Sequence, residues 1–273
     1  MIYKMIAIDL DNTLLTSEKE IDSETADLIK KADKAGKKII LATGRMYEAA
    51  VAFLEELELD TPLITYNGAL VKNKNREVIQ ENLISYELTK EVVEFAEDYG
   101  LHIQYYSDGN YYYRWRNEYA REYGEITNIA GVETKVKLQN YIENSALKLL
   151  IIEDQEKRRE YFKNELNKYY KHRLSISSSM ETYIEITASK VNKGKALIDL
   201  ANSYNISSEE IIAVGDGYND LSMLEMSGLG VAMENAPEEI RSKADRITQS
   251  NDNQGVAKVL EYLLSCNDEA EQI

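Results

Sequence analysis

Along residues 1–80, short apolar runs alternate with stretches whose apolar positions recur at helical spacing. Residues 4–10 (KMIAIDL) predict a buried strand. Residues 23–35 put Leu28, Ile29, Ala32 and Ala35 on one helical face, and Gly36 supplies a stop. Residues 38–42 predict a second strand. Residues 47–57 predict a helix with Ala50, Val51, Leu54 and Leu57 inward, and 62–65 a short third strand. Strands alternating with helices predict a parallel sheet covered on both faces. The rhythm returns late in the chain: a helix at 193–204, a strand at 211–214, a short helix at 219–226, strands at 229–232 and 244–247, and a helix at 255–264 with Val256, Val259, Leu260 and Leu263 inward.

The middle of the chain differs. Residues 84–187 carry fourteen of the 20 tyrosines and the single tryptophan, Trp115, which sets them apart from both flanks. Alternating segments at 102–106, 111–115, 147–152 and 182–187 predict antiparallel strands with a polar face, and helices at 89–99 and 156–170 fit the other face. The pattern predicts an α/β protein: a Rossmann-like, doubly wound parallel sheet core (1–83 and 188–273) interrupted by an inserted α+β domain (84–187).

A length of 273 residues suits one large or two medium domains. With 44% apolar and 29% charged residues, disorder is excluded as the main state. No run approaches ~20 apolar residues, so no membrane span is expected. The N-terminus reaches Asp9 too soon for a secretory signal. Cys266, the lone cysteine, has no internal partner, which fits a reducing, cytoplasmic setting. The final residues 267–273 read as a frayed, solvated tail. The net charge of −16 disfavours nucleic acid and anionic membranes as partners and points to a small molecule. Any phosphate-handling site in such a field needs local cations.

Candidate chemistry gathers at the predicted strand ends. Asp9 and Asp11 end the first strand two residues apart, so alternation would aim both side chains one way. They read as a nucleophile and acid/base pair, or as loop and cap aspartates. Thr43 and Gly44 follow the second strand, where a hydroxyl and backbone amides could meet an anion, or Thr43 could cap a helix. Gly215-Asp216-Gly217-Tyr218-Asn219-Asp220 follows a later strand, with Asp216 at its tip and Asn219 and Asp220 opening a helix. Lys193 precedes Gly194, which would let a phosphate come close. In open α/β sheets ligands bind off the carboxyl ends of strands, so these groups would converge. Two carboxylates ~4 Å apart repel by about 4 kcal/mol at an effective dielectric of ~20. A cation is therefore required, and an all-oxygen set suits Mg²⁺.

At this point the sequence resembles the haloacid dehalogenase superfamily of phosphohydrolases. Its DxDx[TV] motif matches Asp9 to Thr13, its Thr/Ser motif matches Thr43, its lysine matches Lys193, and its acidic fourth motif matches GDGYND at 215–220. An insertion between Tyr66-Asn67-Gly68-Ala69 and Val191-Asn192-Lys193-Gly194 is similar to the Cof-type branch with its α+β (type IIB) cap. Asn12 stands where the family commonly has glycine. The resemblance implies a Mg²⁺-dependent phosphatase acting on a phosphorylated metabolite through an aspartyl phosphate on Asp9. Asp11 would be its acid/base. Asp9, Asp216 and the backbone carbonyl of Asp11 would hold the metal, with Asp220 behind them. The Leu10 amide, Thr43, Gly44, Lys193 and Asn219 would hold phosphate. Sugar, nucleotide and cofactor phosphates all remain open as substrates. A sugar phosphomutase of the same superfamily and a non-catalytic phospho-ligand regulator are the rival readings. Arg45 and Asn67 face the expected cleft. The tyrosines of 105–115 are explained chiefly by strand packing, and His102 and His172 lie too far apart in sequence to suggest a metal site.

Overall fold

The computed structural model describes residues 3–268. Strand β1 (Met5–Ile8) is buried throughout, as a central parallel strand must be. Helix α1 (Ser23–Lys34) starts at Asp22, whose carboxylate accepts from the amides of Glu24 and Thr25. It stops before Gly36, which has φ +82°. Then come β2 (Lys38–Ala42), α2 (Tyr47–Glu56), β3 (Leu63–Thr65), β4 (Leu70–Lys72) and β5 (Val78–Glu81). The insertion contains α3 (Tyr86–Asp98), β6 (His102–Ser107), β7 (Asn110–Tyr113), α4 (Glu118–Thr127), β8 (Val132–Glu133), β9 (Lys148–Ile152), α5 (Glu156–Tyr170), β10 (Leu174–Ser177) and β11 (Tyr183–Ala188). The chain returns through α6 (Lys193–Ser203), β12 (Ile211–Gly215), α7 (Leu221–Met226), β13 (Leu229–Ala232), α8 (Glu238–Arg241), β14 (Arg246–Ile247) and α9 (Gly255–Asp268).

The first sheet has the order β14-β13-β12-β1-β2-β3-β4-β5, parallel from β14 to β3, with β4 and β5 antiparallel. Side-chain alternation sends Ile6, Ile8, Ile39 and Leu41 to one face, against Ile29, Ala50, Leu54, Leu260 and Leu263 of α1, α2 and α9. Met5, Ala7, Ile40 and Ala42 meet Leu197, Leu200, Met223 and Leu224 of α6 and α7 on the other. The α/β reading therefore holds, with both faces covered.

The second sheet has the order β10-β11-β9-β6-β7-β8. Ile103, Leu149, Ile151, Ile184 and Ile186 pack on α3 and α5 through Val92, Val93, Phe162 and Leu166. The opposite face carries Gln104, Tyr106, Lys148, Leu150 and Glu185. All five are buried, and Tyr106 and Leu150 share one apolar cluster with Ile8 and Leu41 of the first sheet. The polar face of the insertion is thus turned toward the first sheet and away from water. Among the described residues, no helix is long and apolar enough to cross a membrane.

Several expectations need correction. The strand expected at 4–10 ends at Ile8. Asp11 sits in an irregular turn over Leu10–Leu14, in which Asn12 has φ +57°. Strand alternation therefore does not govern how Asp9 and Asp11 point. Asparagine tolerates that left-handed position, which explains why it can stand where glycine is common. The helix expected from 219 begins at Leu221. Gly194 serves packing, not phosphate approach: a Cβ there would lie 2.2 Å from the backbone oxygen of Ser222, where α6 crosses α7. Elements β4, β5, α4, β8, β10 and α8 were not foreseen. In β5 most residues are exposed, so its sequence lacks the alternation that reveals a strand. The inward face of α4 is Ala120, Tyr123 and Thr127, a weak apolar stripe. Of the tail expected at 267–273, residues 267 and 268 end α9, and the rest lie outside the described residues.

Gly194→Ala is expected to destabilise the fold by roughly 1–3 kcal/mol through overpacking at this crossing. Urea unfolding checks it, and an unchanged midpoint at unchanged slope would contradict the packing role.

Candidate active site

The carboxyl ends of β1, β2 and β12 meet at one cavity, lined by Asp9, Asp11, Thr43, Gly44, Arg45, Asp216 and Asn219 from the first sheet and by Tyr123, Lys148, Met180, Tyr183 and Glu185 from the insertion. Asp9 follows β1 directly, and its amide donates to Val214, which ties the loop to β12. Lys193 opens α6, whose N-terminus is capped by the Asn192 side chain accepting from the Lys195 amide. The Lys193 ammonium is fully buried and donates to Asp9 Oδ1 at 2.5 Å and to Asp220 Oδ1 at 2.6 Å.

Asp220 precedes α7 but does not cap it. Its other oxygen accepts from the amides of Asp216 and Gly217 at 3.0 and 2.8 Å, closing the loop that presents Asp216. Thr13 donates to Asp216 at 3.0 Å. Asp9, Asp216 and Asp220 each offer a carboxylate oxygen within 4.8 Å of the others. Asp11 turns to a different partner: Arg45 grips it with two bonds of 2.8 and 2.6 Å. Thr43 is buried and accepts from the Arg45 amide, while Met46, not Thr43, takes the cap position of α2. Asn219 donates to Asn67 at 3.0 Å. The side chain of Leu10 is buried in the core. Asp9, Asp11, Thr43, Gly44, Asp216 and Asn219 thus border one cavity, while Lys193 and Asp220 stand behind it.

The charges are out of balance. Burial, then the charge of Asp220, push the Asp9 carboxyl well above its usual range despite Lys193. Burial and Asp220 raise Asp216 to about 7, with Thr13 opposing. Burial also works against Asp11, but the hydrogen bonds and charge of Arg45 outweigh it and hold that carboxyl low. Burial would strip the proton from Lys193, yet Asp220 and Asp9 keep it charged. One ammonium thus faces three carboxylates. The shortfall in positive charge, in an all-oxygen donor set, fits a divalent cation with oxygen ligands.

Some site residues were not singled out in the sequence. Tyr123 and Tyr183 line the cavity, whereas Tyr106, Tyr111 and Tyr113 of the tyrosine-rich segment are buried in the core and Trp115 is exposed. Lys148 and Glu185 were also missed. The signal for them was a charge set at an inward position of an otherwise apolar strand.

A family model described as haloacid dehalogenase-like hydrolase matches residues 6–260. Over 96% of its length, and 98% of the relative's, the chain is 32% identical to a 5-amino-6-(5-phospho-D-ribitylamino)uracil phosphatase of Bacillus subtilis. It superposes on a Thermotoga maritima crystal structure with a TM-score of 0.82, at 34% identity, covering 96% of this chain and 97% of that one. A haloacid dehalogenase subclass IIB sugar phosphatase gives 0.84 at 27% identity, covering 95% and 98%. The chain belongs to the haloacid dehalogenase-like hydrolases. Within that class it is a phosphoric monoester hydrolase of the Cof type.

The raised carboxyls of Asp9 and Asp216 give a pH-dependent prediction. A carboxyl raised on folding stabilises fully below its unfolded value, near 3.8, and that contribution is lost as pH climbs through its folded value, about 7 for Asp216 and also raised for Asp9. A divalent cation relieves the repulsion, so it should raise the melting temperature more at about pH 7.5 than at about pH 5.5. An equal rise at both, or none, would contradict the assignment.

Proposed function

We propose that this phosphatase hydrolyses small phosphomonoesters with Mg²⁺, through a phosphoryl group carried transiently on Asp9. The observation that carries the reading is the Lys193 ammonium placed between Asp9 and Asp220, with three carboxylate oxygens within 4.8 Å of one another. Asp9, Asp216 and, as the resemblance implies, the backbone carbonyl of Asp11 would hold the metal. When bound, Mg²⁺ supplies the positive charge that lets a phosphate dianion approach these carboxylates.

Asp9 attacks phosphorus, and the bond to the leaving oxygen breaks. Lys193 favours the ionised form of Asp9 against burial, holds it by a hydrogen bond, and offsets charge on the phosphoryl oxygens. Thr43, Gly44, Asn219 and the Leu10 amide hold those oxygens. Asp11 gives its proton to the leaving oxygen, then takes one from the water that releases phosphate. The ion pair with Arg45 sets a condition on that role. Asp11 holds no proton while gripped, so the pair has to open when substrate enters and Asp11 has to take up a proton from solvent before it can give one to the leaving oxygen. Residues 84–187 act as the cap over the core formed by 1–83 and 188–273, and contribute Tyr123, Met180 and Tyr183 to the wall that meets the leaving group. The substrate is a phosphorylated metabolite small enough for that cavity.

Asp9→Asn keeps the shape of the side chain and removes the nucleophile. Its turnover of an aryl phosphate with Mg²⁺ is expected to drop at least about a thousandfold. Near-wild-type turnover would end the nucleophile assignment.

A further inference from the structure

A second buried cation lies between the two sheets. Lys148 of β9 and Glu185 of β11 have side chains 2% exposed, and their Nζ and Oε1 atoms are 3.0 Å apart. The β9–β11 register pairs Glu185 with Leu150, so Lys148 is its diagonal neighbour on the same face. Neither group exhausts its bonding within the insertion. Lys148 also donates to the backbone carbonyl of Gly44 at 2.8 Å. The second oxygen of Glu185 accepts from Asn67 Nδ2 at 3.0 Å.

Both contacts end on the loops that present the phosphate-binding candidates. Gly44 adjoins Thr43. Asn67 donates its backbone amide to the Thr43 carbonyl at 3.1 Å and accepts with Oδ1 from Asn219 at 3.0 Å. The fit is close: a Cβ at 44 would lie 2.8 Å from Asn67 Oδ1 and 3.3 Å from Glu185 Oε1, so these side chains would have to shift to admit one. The pair is neutral as a unit, so it enters the buried seam with no net charge. Well-packed apolar side chains would close that seam at lower desolvation cost. What the polar pair adds is direction, since each of its bonds fixes one loop atom.

We propose that Lys148 and Glu185 are positioning residues of the phosphatase: they lock the Gly44 carbonyl and the Asn67 amide so that Thr43 and Asn219 are aimed at phosphate only while residues 84–187 cover the site. The inference rests on the phosphatase reading above. It assigns these residues no contact with substrate. It makes the phosphate-binding loops dependent on the insertion.

The test is a double-mutant cycle in the full chain with Glu185→Gln, Asn67→Ala and both together. Two readouts are taken: turnover of p-nitrophenyl phosphate with Mg²⁺, and calorimetric binding of inorganic phosphate. Each single variant should raise KM and weaken phosphate binding together by about tenfold, and the double variant should be little worse than either, because both cut one chain of bonds. A merely structural pair would lower the melting temperature and leave phosphate affinity of the folded protein unchanged, which would overturn the proposal, as would losses that simply multiply. If Glu185→Gln fails to fold, Asn67→Ala, which leaves the ion pair intact, decides alone by its phosphate affinity. If the wild type binds phosphate but turns nothing over, the phosphatase reading fails while the binding cycle still decides the positioning role.

Discussion

A lysine ammonium without access to water holds this site together. Lys193 sits between Asp9 and Asp220, two carboxylates from segments far apart in the chain, and its charge opposes the burial that pushes the Asp9 carboxyl up. Removing one partner from such a buried group costs on the order of 3–5 kcal/mol. Much of the local architecture follows from holding the ammonium in place. Asn192 caps α6 so that the helix begins at Lys193. Gly194 lets α6 press on α7, which brings Asp220 within reach. Asp220 in turn gathers the amides of the 216–217 loop and thereby sets Asp216 beside Asp9. The acids remain undercompensated after all this, and that residual charge deficit is what makes a divalent cation part of the site.

The same economy appears twice. The core buries one cation between Asp9 and Asp220, and the insertion buries another, Lys148, between Glu185 and the Gly44 carbonyl. Arg45 makes a third local cation, spent on Asp11. In a chain of net charge −16, positive charge is placed where anionic oxygens converge. The apolar packing of the second sheet on α3 and α5 frees its opposite face to carry polar groups into the seam.

What could be read from the sequence follows from how local the cause was. The parallel core was legible because β1, β2 and β12 are continuous apolar runs and α1 carries its cap and stop residues. Asp9, Thr43, Lys193 and Asp216 were legible because each sits at the end of such an element. The partner of Asp11 was not: nothing local says that Arg45, 34 residues on, would take its carboxylate. The second buried pair was hidden for the same reason. A charge on a strand reads as the wet face unless the other domain is known to cover it. The weakly patterned α4 was missed although its Tyr123 lines the cavity, because tyrosine suits strand, helix and surface alike.

The most direct check on the account is chemical. Excess protein is mixed with an aryl phosphate and Mg²⁺, quenched in acid within one turnover, reduced with borohydride and digested, and the peptides are weighed. A phosphorylated aspartate is reduced to homoserine, and the account predicts homoserine at position 9 alone. Its appearance at another aspartate instead, or a full burst of product with position 9 unaltered, would contradict it.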